Sequence, residues 1–240
     1  MIPGPRLSVV IPAFNEAARL PRHLDEVVGF LEGRGEAYEV VVVDDGSTDG
    51  TAAAVRATAA GNPAVRVLPL GRNRGKGAAV RAGMLAATGM ARLFTDADGA
   101  TPIAELKRLE PALASGADVV IGSRALADPA VSVHARPHRV LAGRVFRWIV
   151  ARLGVRGVAD SQCGFKLFTA TAATALFGEL ETTGFGFDVE LLLRAQAGGY
   201  RIVEVPVNWT DQQGSKSGVL FHGPGMLLQL LHARLRVGRR

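Results

Sequence analysis

Two aspartates, Asp96 and Asp98, stand one residue apart in the stretch ARLFTDADGAT, directly after an apolar run. Ionised carboxylates held this close repel each other, so the pair needs a positive partner. Mg²⁺ and Mn²⁺ prefer carboxylate oxygens and often hold a substrate phosphate at the same time. A solvated turn is the alternative, because Asp and Gly are also common turn residues. The spacing therefore indicates either a divalent metal site or an ordinary turn.

Similar polar segments follow three other apolar runs. They are PAFNE at residues 12–16, DDGS at 44–47 and GSR at 122–124. Continuous apolar runs separated by helix-like segments are typical of a mainly parallel sheet covered on both faces. In such a sheet, ligands bind at the carboxyl ends of the strands. The sequence therefore predicts an α/β fold, with a mainly parallel central sheet flanked by helices, that brings these segments to one edge.

The alternation of strands and helices changes after Arg124. Up to that residue, strands are expected in RLSVVIP, YEVVVVD, AVRVLPL, RLFTDAD and ADVVIGSR, with helix-like segments between them. Beyond it we expect a basic amphipathic helix at 139–153, a short strand in DSQCGFKLF, a helix at 185–198, a strand in YRIVEVPVNW and a last helix at 224–237. We interpret the whole as one domain.

The net charge of +6 is unevenly distributed. Residues 129–159 contain six arginines and no acid, and residues 212–240 contain five basic residues and no acid. These segments sum to +11, so the rest of the chain sums to −5. Such blocks indicate a polyanionic partner, which means nucleic acid, anionic lipid or phosphate. An aromatic content of 6% provides little stacking surface, and the strand-end segments are acidic, so nucleic acid is not expected.

The sequence also predicts where the chain acts. Its single cysteine, Cys163, can form no internal disulfide, and no signal segment precedes the first strand. No apolar stretch approaches the roughly 18–20 residues of a membrane span. We expect a cytoplasmic protein that contacts the cytoplasmic face of a membrane peripherally, through the two basic amphipathic helices. Packing of their apolar stripes on the sheet is the alternative. The stripes comprise Val140, Leu141, Phe146, Trp148, Ile149 and Leu153 in one helix, and Leu227, Leu230, Leu231 and Leu235 in the other.

Several of these segments together resemble one protein family. VVIPAFNE, VVVDDGSTDGT, NRGKGAAVRAG, FTDADGAT and GSR occur in this order and spacing in family 2 glycosyltransferases with the GT-A fold. DSQCGFKLF, FDVELL and VPVNWTDQQGSK resemble the dolichyl-phosphate glucosyltransferase and polyprenyl-phosphate glycosyltransferase branch of that family. The resemblance extends from about Leu7 to Arg236. It favours the metal site over the turn for Asp96 and Asp98.

The resemblance implies a binding site for a sugar nucleotide. Asp96 and Asp98 match the DxD motif, with Mg²⁺ or Mn²⁺ as the cofactor that bridges to the diphosphate. Asp45 matches the aspartate that accepts a hydrogen bond from the base, and Phe14 matches an aromatic residue against the base. Lys76 is placed near phosphate or base, and Lys216 matches a lysine that reaches the diphosphate. The complete set of expected donor residues is Pro12, Phe14, Glu16, Asp44, Asp45, Lys76, Asp96, Ala97, Asp98 and Lys216.

The resemblance also implies a site for a phosphorylated acceptor. Arg124, Arg136 and Arg139 match arginines that hold phosphates, and guanidinium groups suit phosphate oxygens. Asp160 matches the catalytic base of inverting relatives. A phosphate monoester has a second pKa of about 6, so Asp160 has little need to take a proton, and orienting the acceptor or the metal is its alternative role. The expected catalytic set is Asp98, Arg124 and Asp160.

The reaction implied is inverting transfer of a hexose to a polyprenyl or dolichyl phosphate, with UDP-glucose as the expected donor. The mannosyl branch usually has an arginine a few residues before its GxSK motif, and Gln212 and Gln213 stand there instead, which favours glucose. GDP-mannose is the alternative donor. A soluble hydroxyl acceptor is a further alternative. Within one GT-A domain of residues 1–240, we expect a nucleotide-sugar half at 1–125, an acceptor half at 126–213 and a basic amphipathic segment at 214–240.

Overall fold

The computed structural model describes residues 4–135, 137–212 and 223–237. Nine strands lie within these ranges, and seven of them form one sheet in the order β3-β2-β1-β4-β7-β5-β8. The strands are β1 Leu7–Ala13, β2 Tyr38–Asp44, β3 Val65–Pro69, β4 Ala91–Thr95, β5 Val119–Ser123, β6 Val133–His134, β7 Phe165–Thr169, β8 Ile202–Pro206 and β9 Trp209–Thr210. Only β7 runs antiparallel to its neighbours in the large sheet, while β6 and β9 form a separate parallel pair. The predicted mainly parallel sheet is confirmed.

Helices cover both faces of the sheet. They are α1 Leu20–Glu32, α2 Thr51–Thr58, α3 Lys76–Ala86, α4 Leu106–Ala114, α5 Pro137–Arg152, α6 Ala170–Glu179, α7 Phe187–Ala197 and α8 Gly223–Val237, with a 3₁₀ turn at Ile103–Glu105 before α4. Within the described ranges, none of these helices combines the length and the apolar character needed to cross a bilayer.

The apolar strands divide their side chains between two cores because successive residues of a strand point to opposite faces. Val41 and Val43 of β2 pack in the core that contains parts of α3, α5, α6, α7 and α8. Val40 and Val42 pack in the other core, against α1 and α4. Both faces are therefore buried, which explains why the sequence of β2 is a continuous apolar run rather than an alternating one.

Segments on either side of residue 125 share the large sheet. β7 and β8 come from the segment predicted to form the acceptor half, and they pair with β4 and β5. Because β1, β2, β4 and β5 are parallel along this sheet, the polar segments that follow them lie at one edge. The division at residues 125 and 213 stays a prediction, but residues from both segments contribute to this edge.

Candidate active site

A cavity of about 380 Å³ opens at the carboxyl ends of β1, β2 and β4. Eight of the residues expected to bind the donor line it: Pro12, Phe14, Glu16, Asp45, Lys76, Asp96, Ala97 and Asp98. Six further lining residues were not predicted: Ala13, Arg19, Asn73, Gly75, Ala79 and Phe185. Asp44 does not line the cavity; its carboxylate accepts the backbone N–H of Ser47 at 3.0 Å. The local motifs thus converge on one cavity, with Asp44 beside it.

Asp96 forms an ion pair at the edge of this cavity. The Nζ atom of Lys76, the first residue of α3, lies 2.7 Å from Asp96 Oδ1. Burial alone would lower the pKa of Lys76, but the carboxylates of Asp96 and Asp188 raise it above its ordinary value. Behind Asp96, a Cβ atom at Gly164 would overlap the carboxylate, so any larger residue there would displace the Asp96 side chain. Lys76 therefore stays protonated and neutralises one of the two DxD charges.

The Oδ1 atom of Asp98 accepts the backbone N–H of Ala100 at 3.1 Å. Burial and the charge of Asp96 raise the pKa of Asp98, although Arg19 and Lys76 oppose the shift. The described residues contain no group of three or more His, Cys, Asp or Glu side chains arranged to hold a metal. Two carboxylates nevertheless suit Mg²⁺, which is often held by one or two carboxylates plus substrate phosphates. The donor set fits a divalent ion that protein and substrate bind jointly.

Asp45 fastens the loop that forms one wall of the cavity. Its two carboxylate oxygens accept the backbone N–H groups of Arg74 at 2.7 Å and Gly75 at 2.9 Å. Burial raises the pKa of Asp45, and these two donors limit the rise. Gly46 has φ +74°, and a Cβ there would lie 2.5 Å from the Cα of Arg72. The role of Asp45 toward a base stays a prediction, while its structural role is to hold residues 72–75 against β2.

A second ion pair lies buried behind the first. Lys166 donates from Nζ to Asp188 Oδ1 at 2.5 Å and to the carbonyl of Cys163 at 2.7 Å. Burial raises the pKa of Asp188, whereas Lys166 and Lys76 act against that rise. Nearby, the carboxylate of Glu190 accepts the N–H groups of Glu181 and Thr182. The FDVELL acids therefore have structural partners.

Arg124 and Asp160, both expected in the catalytic set, bind each other. The Nε and Nη2 atoms of Arg124 donate to Asp160 Oδ2 and Oδ1 at 2.6 and 2.7 Å, and its backbone N–H donates to Oδ2 at 2.9 Å. The guanidinium also lies 5.3 Å from the ring centroid of Trp209. Burial would raise the pKa of Asp160, but Arg124 outweighs it and holds the pKa below its usual range. Asp160 is thus an ionised, hydrogen-bonded group rather than one poised to take a proton.

Three expected residues are not placed by side chain. Arg136 and Lys216 lie outside the described residues, and Arg139 belongs to α5 with its side chain outside what is described. Their expected contacts with phosphate stay predictions. Of the three arginines expected to bind the acceptor, only Arg124 has side-chain contacts within the described part of the chain.

Comparison with known proteins yields a family and close relatives. The profile described as Glycosyl transferase family 2 matches residues 8–174. A dolichyl-phosphate beta-glucosyltransferase of Drosophila melanogaster is 44% identical over 228 residues, covering 89% of this chain and 70% of the relative. The protein of the same name from Homo sapiens is 40% identical over 247 residues, covering 98% and 76%.

Solved structures share the fold. Glucosyl-3-phosphoglycerate synthase from Mycobacterium tuberculosis, in complex with Mg²⁺ and UDP, superposes with a TM-score of 0.72 over 98% of this chain and 79% of that chain, at 22% identity. Its complex with Mn²⁺ and UDP-glucose gives a TM-score of 0.70. This likeness confirms the predicted GT-A fold. With a family match over more than half of its residues and relatives of 40–44% identity, this chain belongs to glycosyltransferase family 2.

Proposed function

We propose that this enzyme transfers glucose from UDP-glucose to a polyprenyl or dolichyl phosphate with inversion. The observation that carries the proposal is the cavity in which Lys76, Asp96 and Asp98 meet at the carboxyl ends of the strands. The relatives named dolichyl-phosphate beta-glucosyltransferases, which match across most of this chain, support glucose and the lipid phosphate.

On the donor side, the proposed roles follow from charge. Asp96 and Asp98 hold Mg²⁺ or Mn²⁺, which when bound stabilises negative charge on the diphosphate. Lys76 adds a fixed positive charge at the same rim, 2.7 Å from Asp96. Phe14 and Asp45 also line the cavity, and we assign them to the base. Lys216, which lies outside the described residues, remains the candidate for a further contact with the diphosphate.

On the acceptor side, an ionised phosphate oxygen attacks the anomeric carbon. The bond from that carbon to the UDP oxygen breaks, its electron pair leaves with UDP, and a β-linked lipid phosphosugar results. The nucleophile needs no strong base, because the second pKa of a phosphate monoester is about 6. Asp160 accordingly acts by holding Arg124, and Arg124, with Arg136 and Arg139, holds the acceptor phosphate. The pairing of Arg124 with Asp160 supports this assignment over general-base catalysis.

A membrane surface is proposed as the place where the acceptor is met. α5 and α8 each bury one stripe and expose another: Phe146, Val150, Leu230 and Ala233 are in the core, while Val145, Trp148, Leu228, Leu231 and Leu235 are 51–60% exposed. A Cβ at Gly154, just after α5, would lie 3.5 Å from the guanidinium of Arg234, so the C-terminal end of α5 lies beside α8. Basic residues beside an exposed apolar stripe favour an anionic interface. We place this contact at the cytoplasmic face.

Vesicle sedimentation tests the membrane proposal. The chain should sediment with phosphatidylglycerol vesicles at low salt and much less at about 0.5 M salt, since screening shortens the reach of surface charge. Trp148→Glu should reduce sedimentation severalfold. Met90→Glu is the matched control, because Met90 is 75% exposed but directly precedes β4, at the edge of the sheet opposite the donor cavity. Equal sedimentation of both variants with the parent protein would contradict the assignment.

One transfer assay tests the reaction. Purified protein, Mg²⁺ or Mn²⁺, a polyprenyl phosphate and labelled sugar nucleotides are combined, and label in the lipid phase is counted. We expect transfer from UDP-glucose. Lipid label from GDP-mannose alone would favour the mannosyl alternative, and label only in water-soluble products would favour a hydroxyl acceptor. Either result would overturn the proposal.

A further inference from the structure

Phe185 lines the donor cavity, although no sequence motif predicted it there. It lies in the loop between α6 and α7 and lines the cavity with Lys76 and Asp96. The Nζ atom of Lys76 is 5.9 Å from the ring centroid of Phe185 and 6.0 Å from that of Phe94. A cation over a ring face within about 6 Å of the centroid is attracted by that ring. The position of Phe185 therefore helps to fix the lysine that neutralises Asp96.

The loop that carries Phe185 is held on one side by α3. The N–H of Ala78 donates to the carbonyl of Thr183 at 3.2 Å. This approach depends on glycine, because a Cβ at Gly77 would lie 2.5 Å from the carbonyl oxygen of Thr182. The glycines in RGKG thus allow the loop to come close to the N-terminal turn of α3.

On its other side the loop is held by one side chain of α8, that of Gln229. The N–H of Gly186 donates to Gln229 Oε1 at 3.2 Å. A Cβ at Gly184 would lie 2.6 Å from Gln229 Nε2, so the amide fills the space that glycine leaves. Both residues that flank Phe185 therefore contact the same amide. Gln229 is half-buried, next to the fully buried Leu230.

We propose that Gln229 is a positioning residue for the donor site, acting through Phe185. It is not a ligand of the sugar nucleotide, since it does not line the cavity; it fixes the backbone on both sides of a residue that does. Loss of the amide frees residues 184–186, and Phe185 no longer holds Lys76 in place. The inference rests on the proposed function for the identity of the donor.

The test compares donor binding with acceptor use. Gln229→Ala should weaken UDP binding, measured by calorimetry with Mn²⁺, about fivefold, because a loop freed from this hydrogen bond must be ordered again when the nucleotide binds. The KM for UDP-glucose should rise by a similar factor, while the KM for polyprenyl phosphate stays close to that of the parent and the melting temperature falls by no more than a few degrees. Gln229→Glu keeps an acceptor oxygen for the N–H of Gly186 and should restore most of the binding.

Two further variants locate the effect. Phe185→Ala should weaken UDP binding as Gln229→Ala does, and the double variant should lose no more than the stronger single one, because both changes remove the same contact. His232→Ala alters an exposed residue of the same helix that has no proposed role and should leave UDP binding unchanged. Binding within twofold of the parent in Gln229→Ala, or equal losses toward donor and acceptor, would overturn the proposal. If UDP-glucose gives no lipid product, the proposed function fails, while the calorimetric comparison still decides the role of Gln229.

Discussion

Asp98 and Asp160 lie at the same edge of the sheet, yet their surroundings are opposite. Asp98 has a like-charged neighbour, Asp96, and accepts one backbone N–H, so its pKa is raised. Asp160 accepts hydrogen bonds from Nε, Nη2 and the backbone N–H of Arg124, so its pKa is lowered. One carboxylate is electrostatically unfavourable in the chain alone, and the other is satisfied by the protein itself.

This contrast separates the two substrates. At the donor rim, burial and Asp96 disfavour the charged form of Asp98 more than Arg19 and Lys76 favour it, and the divalent ion that we propose there would relieve this. At the proposed acceptor rim, Arg124 is already paired with Asp160 inside the protein. If Arg124 holds the acceptor phosphate as we propose, it divides its hydrogen bonds between that phosphate and Asp160. The proposed donor carboxylate would thus gain a ligand, whereas the proposed acceptor arginine already has a partner.

The largest expected effect comes from removing the unfavourable charge. Asp98→Asn should lower transfer by about 10³-fold, because the proposed metal ligand is lost. The same change should raise the melting temperature by about 2 °C, since the neutral amide ends the repulsion with Asp96 and keeps the oxygen that accepts the N–H of Ala100. Activity is read from lipid label, and stability from thermal unfolding without metal.

Asp25→Asn is the control for this first change, because Asp25 is an exposed aspartate on α1. It should alter neither quantity. A fall in the melting temperature of Asp98→Asn would mean that Asp98 is stabilised in the free protein, and the contrast between the two aspartates would then be wrong.

Asp160→Asn should act in the opposite direction on stability. It leaves the Arg124 guanidinium without its carboxylate in a half-buried position, and breaking one side of such a pair costs about 3 kcal/mol. Transfer should fall about 10²-fold through misplacement of Arg124. Urea unfolding and transfer assays measure the two effects. The variant Arg124→Gln/Asp160→Asn should recover part of the stability without recovering activity, and a stability equal to the sum of both single losses would show that the two side chains are not coupled.

The donor site was largely predictable because its residues follow single strands. Asp96, Asp98 and Asp45 each come directly after a buried run, and parallel strands bring such positions together. Even the separation of Asp44 from Asp45 follows from strand geometry, since successive side chains point to opposite faces. The sheet thus accounts for the strand-end residues of this cavity, although not for Phe185, which lies in the loop before α7.

The partners of the other residues were not predictable, because they depend on contacts between distant segments. Arg124 and Asp160 lie 36 residues apart, and each was assigned to a ligand rather than to the other. Gly186 and Gln229 lie 43 apart, in segments where no chemical motif stood out. The flanking glycines in TTGFGFD are the one local signal, since they indicate that another group approaches the backbone beside Phe185.

The smallest effect, and the sharpest test of the contrast, is the pH dependence of unfolding. The folded pKa of Asp160 lies below the unfolded value of about 3.9, so its stabilisation is present above that pH and is lost as the pH falls through the folded pKa. The stability difference between the parent and Asp160→Asn should therefore shrink below about pH 4.

The folded pKa of Asp98 lies above its unfolded value, so its ionisation destabilises the fold. The advantage of Asp98→Asn should be complete at neutral pH and disappear as acid protonates Asp98 in the parent. Urea titrations from pH 7 to 3 measure both differences, and two curves of the same sign would contradict the opposite surroundings of these aspartates.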